Sequence, residues 1–396
     1  MRLAIISRRT YALQALRSRF SRLLESNTIC RVTRILLVIP TLDRSGAEKQ
    51  LTLLATRLPR PEFSVQIVAL TRAGPYAADL QQAGIPLTVL GKRFKCDPFT
   101  FFRLKRLIKS ERPDVLHTWL FAANSYGRLA AGSRPPFKIV VSERCVDSWK
   151  SGWQLALDRR LVSRTTRLVG NSNGVADFYR GLGVPNDRLA VVHNGIDLPA
   201  IPDSARAEMR RQLGIADNAL VVGYIGRLAR QKRLEDLIWA FELIRVQHEH
   251  ACFVIVGDGP ERAKLEQFAN NLRIGDHVRF LGHRDDAQGL LPAFNLFWLA
   301  SDFEGFSNSI MEAMAAGLPV VASDIPPNRE LVVHGGTGNL APVGDRVAFA
   351  QLAQRLLLDP NLARQFGTAG RNRVASEFSV QRMVDGYVRI YREVVA

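Results

Sequence analysis

Two glutamates, Glu304 and Glu312, lie in the string SDFEGFSNSIMEAMAAGLPVVAS, which runs from Ser301 to Ser323. A strand-like run, Leu296 to Leu299, leads into it. From Asn308 onward Ile310, Ala313 and Met314 keep helical spacing up to Gly317, a fitting C-cap residue ahead of Pro319. Gly305, Phe306 and Ser307 therefore fall at a strand-to-helix turn. Backbone N–H groups at a helix start have no partner inside the helix, and the helix dipole favours negative charge there. Such a turn suits anions and hydroxyls. Glu312, one turn inside the helix, can accept hydrogen bonds from two adjacent hydroxyls such as those of a ribose. Taken as an isolated pair, the two acids need do no more than place favourable charge near a helix start.

A second constellation, GYIGRLARQKR, runs from Gly223 to Arg233. Gly226 permits a tight turn after a strand, and Arg227 and Lys232 bracket the turn into the next helix. One Arg and one Lys can neutralise a diphosphate without a metal ion. No Asp-x-Asp motif argues for a divalent ion, since Asp285 and Asp286 are adjacent. The loops Val256 to Pro260 and Gly282-His283-Arg284 end two further strands. In the first half, Thr41 to Glu48 reads TLDRSGAE, with Gly46 letting the backbone approach a ligand. This is no GxGxxG fingerprint, which argues against a dehydrogenase. Pro113 to His117 ends another strand and sets His117 at the carboxyl edge of a parallel sheet, where α/β ligands bind.

These strings resemble the family 4 glycosyltransferases, which have the GT-B fold. The resemblance implies that Glu304 touches a donor sugar, that the turn Gly305, Phe306, Ser307 and Asn308 holds sugar hydroxyls, and that Glu312 binds the ribose. It implies that Arg227 and Lys232, in a GRL-x3-K element, clamp the donor phosphates, that Arg284 runs beside the base, and that Gly46 approaches the phosphates. His117 then lies near the transferred sugar, bonding it or polarising the acceptor, and serves with Glu304 as catalytic residue. His193 to Asp197 closes the first domain as a hinge marker. Two positions depart from the family: Ser307 stands where Pro or Gly is frequent, and Ser45 replaces the first of two glycines. The resemblance further implies retention at the anomeric carbon, a UDP- or GDP-sugar donor, and no metal or other cofactor. The alternative within the same fold is a nucleotide-sugar epimerase or hydrolase, which needs the diphosphate clamp but no acceptor.

At 396 residues the chain exceeds what one core usually holds, so two domains are expected. No apolar run reaches the ~18 residues of a membrane span. Cys30, Cys96, Cys145 and Cys252 are scattered, without CxxC or zinc spacing, which suggests a reducing compartment. The net charge of +17 is uneven: through Asp197 there are 32 Lys+Arg against 14 Asp+Glu, and afterwards 22 against 23. An anionic partner for the first half is expected. In Pro98 to Arg112, Phe101, Leu104, Leu107 and Ile108 share one helical face. Arg103, Lys105, Arg106, Lys109 and Arg112, with Phe102 among them, cover the other, and Lys92, Arg93 and Lys95 extend it. This suits an anionic bilayer surface, or else an ordinary sheet-packing helix with solvated cations. It points to a lipid-linked saccharide or lipopolysaccharide precursor as acceptor and to the inner face of the cytoplasmic membrane. Nucleic acid is disfavoured, because the cations are not interleaved with a stacking aromatic platform.

Strand-like and helix-like segments alternate, which predicts parallel α/β packing. The expected organisation is an acceptor domain over 34–195, a donor domain over 196–379, and a last helix, 380–396, crossing back to the first. Asp197 to Asp217 reads as linker. Residues 1–33 carry Arg2, Arg8, Arg9, Arg17, Arg19, Arg22 and Arg31 against one acid, Glu25, with Leu13, Leu16, Phe20, Leu23 and Leu24 on one helical face. A surface-lying membrane helix, a transit peptide and a non-native leader all fit that pattern; a secretory signal does not.

Overall fold

A computed structural model describes residues 31–202 and 204–396. The expectations for the amphipathic N-terminal extension lie almost wholly outside the described residues. The first sheet holds β1 (Thr33–Thr41), β2 (Phe63–Arg72), β3 (Leu87–Val89), β4 (Val115–Trp119), β5 (Lys138–Glu143), β6 (Arg167–Gly170) and β7 (Leu189–Val191). Their order is β3-β2-β1-β4-β5-β6-β7, all parallel. The second sheet holds β8 (Val221–Ile225), β9 (Cys252–Val256), β10 (Val278–Gly282), β11 (Leu296–Leu299), β12 (Val320–Ser323) and β13 (Asn339–Ala341), in the order β10-β9-β8-β11-β12-β13, again parallel. The strands read as continuous apolar runs because helices cover both faces of each sheet. This is the expected pair of Rossmann-like domains, the GT-B architecture.

Strand order reverses between β1 and β4 in one sheet and between β8 and β11 in the other. At such a switch point the loops leave the carboxyl ends toward opposite faces and open a crevice. The loops that follow β1, β8 and β11 carry Gly46, Arg227 and Glu304, so the two crevices bring the flagged motifs together.

The Val380–Val395 helix packs on the first domain. Met383, Val384, Tyr387 and Tyr391 are buried in one cluster with Ile35, Leu37 and Ile39 of β1. Where the chain passes between domains, Ile196 N–H donates to Phe378 O (2.9 Å) and Val380 N–H to Ile196 O (3.3 Å). A Cβ on Gly195 would lie 2.6 Å from Val380 Cα, so only glycine admits this approach.

Two segments differ from the sequence reading. The linker expected from Asp197 to Asp217 contains a helix, Ala205–Gln212. Its Arg210 is 1% exposed and donates to Ala293 O (3.0 Å) and Asn295 Oδ1 (2.7 Å), so tertiary hydrogen bonds order a stretch that its prolines made look irregular. Strand β13 was not anticipated; it is three residues long and lacks a sustained apolar run.

Candidate functional site

A cleft of about 1040 Å³ lies between the domains. Its second-domain wall starts at β11. Ser307 caps the Asn308–Ala315 helix, its Oγ accepting from Ile310 N–H (3.3 Å), and Gly317 ends the helix at φ +76°. Serine at 307 thus does the capping work, which accounts for the departure from the family pattern there. Glu304 pairs with Lys232 and accepts from Ser301 Oγ (2.6 Å). A Cβ on Gly305 would sit 1.9 Å from Arg144 O, so first-domain backbone rests directly on this turn. The Val146 N–H donates to Glu304 O (3.1 Å) beside it.

Phe306 is 3% exposed, its ring against His193 (4.8 Å) and Phe378 (5.0 Å). Its side chain packs the domain junction, leaving its backbone to the cleft. Asn308 ties the halves together: its Nδ2 donates to Gly46 O (3.1 Å), and its Oδ1 accepts from Asn194 Nδ2 (2.7 Å) and Gln50 Nε2 (3.2 Å). Glu312 accepts from Lys49 Nζ and Gln288 Nε2, both at 2.7 Å.

The Gly226 turn is built by close backbone contact. A Cβ on Gly257 would meet Gly226 O at 1.9 Å, and one on Gly259 would meet Leu228 O at 2.3 Å. The Val256 to Pro260 loop therefore braces the turn that carries Arg227. Arg227 itself is exposed and makes no ion pair among the described residues. Arg284 lines the cleft with its guanidinium forked onto Asp286 (2.8 and 2.6 Å), while Asp285 pairs with Arg44 across the opening (3.1 Å). In the first domain Ser45 Oγ donates to Glu48, so the serine that replaces a family glycine serves its own helix. Burial holds the Glu48 carboxyl above the usual range, against hydrogen bonds from Ser45 and Thr41 that pull it down.

His117 is not among the residues that line the cleft, which corrects the sequence reading. It is fully buried, with Nδ1 on Tyr391 Oη (2.7 Å) and Nε2 on Ser142 Oγ (2.8 Å). Strand alternation turns it toward the Val380–Val395 helix, and the residue reaching the cleft from the end of β4 is Leu120, held at φ +69°. Burial, and secondarily Arg144, hold the imidazole well below its ordinary value. It stays neutral in the fold while the unfolded chain takes up a proton. Stability from this group is therefore complete above about pH 6.5 and declines as the pH falls below it. Denaturant midpoints measured from pH 7.5 to 5 should fall, with a shallower slope in His117→Gln; equal slopes would contradict this.

Sequence reasoning missed Lys49, Gln288, Arg144, Asn171 and Asn194, which line the cleft. Arg144 and Asn171 directly follow β5 and β6, so the rule that singled out His117 at a strand's carboxyl end would have found them. Lys49 and Gln288 carried no local signal, and Asn194 was read only as part of the His193 to Asp197 hinge marker. Among the described residues no group of three or more His, Cys, Asp or Glu is placed to hold a metal ion.

Residues 205–373 match the model of Glycosyl transferases group 1, and residues 44–199 that of Glycosyltransferase Family 4. The N-acetyl-alpha-D-glucosaminyl L-malate synthase of Bacillus anthracis is 34% identical over 59% of this chain and 61% of its own length. The lipopolysaccharide core biosynthesis glycosyltransferase LpsD of Rhizobium meliloti is 28% identical over 89% of this chain and 96% of its own. Among solved structures, Anabaena HepE in complex with UDP is 25% identical, with a TM-score of 0.79 over 91% of this chain and 100% of its own. Glycogen synthase of Mycobacterium tuberculosis is 30% identical over 73% of this chain and 71% of its own length; with the two family models falling one on each domain, the chain belongs to the family 4, group 1 glycosyltransferases.

Proposed function

We propose that this glycosyltransferase moves a sugar, with retention at the anomeric carbon, from a UDP- or GDP-sugar bound by residues 196–379 to a saccharide or lipid-linked acceptor bound by residues 34–195. The observation that carries this reading is the meeting of Arg227, Lys232, Glu304 and Glu312 on one wall of the cleft. HepE, crystallised with UDP, supports the donor class. Arg227 and Lys232 would take up the charge that develops on the departing diphosphate, with no metal needed. The N–H groups of Gly305 to Asn308 and the dipole of their helix add to that field. Glu304 orients the sugar, Glu312 the ribose, Gly46 lets backbone approach the phosphates, and Arg284 stands beside the base. His117 keeps a structural part, bracing the end of β4. Closure of the domains would exclude water from the transfer. Incubation with UDP-glucose, UDP-galactose, UDP-N-acetylglucosamine and GDP-mannose in EDTA, each with methyl glycosides and extracted lipid-linked saccharides as acceptors, followed by proton NMR of the anomeric signal, tests it. Release of a nucleoside diphosphate with an α-configured sugar product is expected. A β-configured product would sink retention, and turnover of none of them would sink the donor reading.

The acceptor's setting is read from the Pro98–Glu111 helix. Leu104 and Ile108 are buried against the sheet, while Phe99 and Phe102 are 70% and 63% exposed beside Arg103, Lys105, Arg106 and Lys109. Exposed aromatics set among cations suit peripheral contact with an anionic bilayer on the cytoplasmic side. No helix among the described residues is long and apolar enough to cross a membrane. At about 1 kcal/mol per cation, reversing Lys105, Arg106 and Lys109 to Glu should weaken sedimentation with phosphatidylglycerol vesicles by at least ~100-fold; unchanged binding would contradict the contact.

A further inference from the structure

The segment after β5 leaves Arg144 and Cys145 on the cleft wall and then turns outward. It exposes Trp149 and Trp153, 54% and 62% accessible, and Trp153 meets the Phe121 ring edge-to-face at 5.9 Å. Large indoles held in water need a reason, and three observations supply one.

First, the segment is anchored from below. Lys150 is fully buried, with its ammonium 2.8 Å from Asp147, 2.9 Å from Asp158 and 4.8 Å above the Phe121 ring. Asp158 also takes Arg128 at 2.7 Å. Trp149 precedes the anchored lysine, and Trp153 opens the Gly152–Leu161 helix that carries Asp158. The backbone beneath both indoles is therefore fixed before any ligand arrives, which lowers the ordering cost of binding. Second, the patch adjoins the cleft along the chain. Phe121 follows cleft-lining Leu120, and Val146, bonded to Glu304 O (3.1 Å), is three residues from Trp149. Three extended residues span at most ~11 Å, within reach of a short saccharide placed at the donor carboxylate. Third, the exposed surface from Ser148 to Trp153 is uncharged. Its members are Ser148, Trp149, Ser151, Gly152 and Trp153, the charged Lys150 being buried; Arg159 and Arg160 lie at the far end of the helix. An anionic bilayer would call for cations here. A pyranose instead presents a face of weakly positive C–H groups, which matches the negative face of an indole.

We propose that Trp149, Trp153 and Phe121 form an acceptor subsite that stacks on a neutral pyranose ring. The proposal rests on the glycosyl-transfer reading of the adjoining cleft. Its test uses the full chain carrying fluorotryptophan, with the Trp149 and Trp153 signals assigned through Trp149→Phe and Trp153→Phe. Fluorine NMR is recorded while methyl glycosides of glucose, galactose, mannose and N-acetylglucosamine are added in the presence of UDP, and separately with phosphatidylglycerol vesicles. A saturable shift of either signal with at least one glycoside is expected. Signals that stay fixed with every glycoside, or move only with vesicles, would overturn the subsite. Phosphorus NMR of UDP in the same sample separates the two readings. UDP bound with unmoved indoles defeats the subsite alone, and moved indoles with UDP unbound support the subsite and defeat a UDP donor.

Discussion

Lys232→Ala should lower kcat/KM by ~100- to 1000-fold, the loss of about 3–4 kcal/mol that follows removal of one preorganised charge donor from a transition state. The Lys232 ammonium and the Glu304 carboxylate pair with side chains 16% and 12% exposed. The lysine therefore sits ready in a partly desolvated wall and needs little rearrangement when charge develops on a leaving diphosphate. Its removal also leaves Glu304 with Ser301 Oγ as its side-chain hydrogen-bond donor, so the carboxylate proposed to orient the sugar loosens too. Lys232→Arg keeps the charge but not the compact ammonium, and partial recovery is expected. Steady-state kinetics on the active donor decide it: a change under tenfold in Lys232→Ala would remove Lys232 from the phosphate clamp.

Glu312→Ala is expected to weaken binding of the nucleoside diphosphate by ~10- to 100-fold, through loss of hydrogen bonds to a charged acceptor at about 1.5–3 kcal/mol. Lys49 and Gln288 already hold Oε1 of this carboxylate, both at 2.7 Å. They fix its orientation, so a ribose need not order it. The distinguishing comparison is with the deoxyribose analogue. That analogue should bind the native protein more weakly than the ribonucleotide, and in Glu312→Ala the difference should vanish. Calorimetry that finds the same ribose preference in both proteins would place the ribose elsewhere.

The fold was legible because strand and helix periodicity do not depend on distant partners. Runs such as Ile35 to Pro40 and Cys252 to Val256 announce buried parallel strands by composition alone, and both became interior, doubly paired members of their sheets. The proposed donor wall was legible for the same reason: Gly305, Asn308 and Glu312 are close in sequence, and a strand-to-helix turn fixes where they point. What escaped was decided by long-range contact. His117 stood at a strand end where ligands bind, yet alternation along β4 turned it under the Val380–Val395 helix, onto Tyr391. Lys49 reaches Glu312 across 263 residues of sequence. The helix at Ala205–Gln212 depends on Arg210 finding carbonyls some eighty residues away. The indoles of Trp149 and Trp153 carried no motif, and only their exposure above a buried ion cluster sets them apart.

The central claim is that this cleft holds a nucleoside diphosphate by its phosphates and ribose without a metal ion. Calorimetric titration of UDP, GDP and the corresponding nucleosides into the native protein, with EDTA present throughout, tests it most directly. One diphosphate should bind, and its nucleoside should bind at least ~100-fold more weakly, a gap of about 3 kcal/mol expected from phosphate contacts led by Arg227 and Lys232. Binding of neither diphosphate to folded protein, or equal binding of a diphosphate and its nucleoside, would contradict the account.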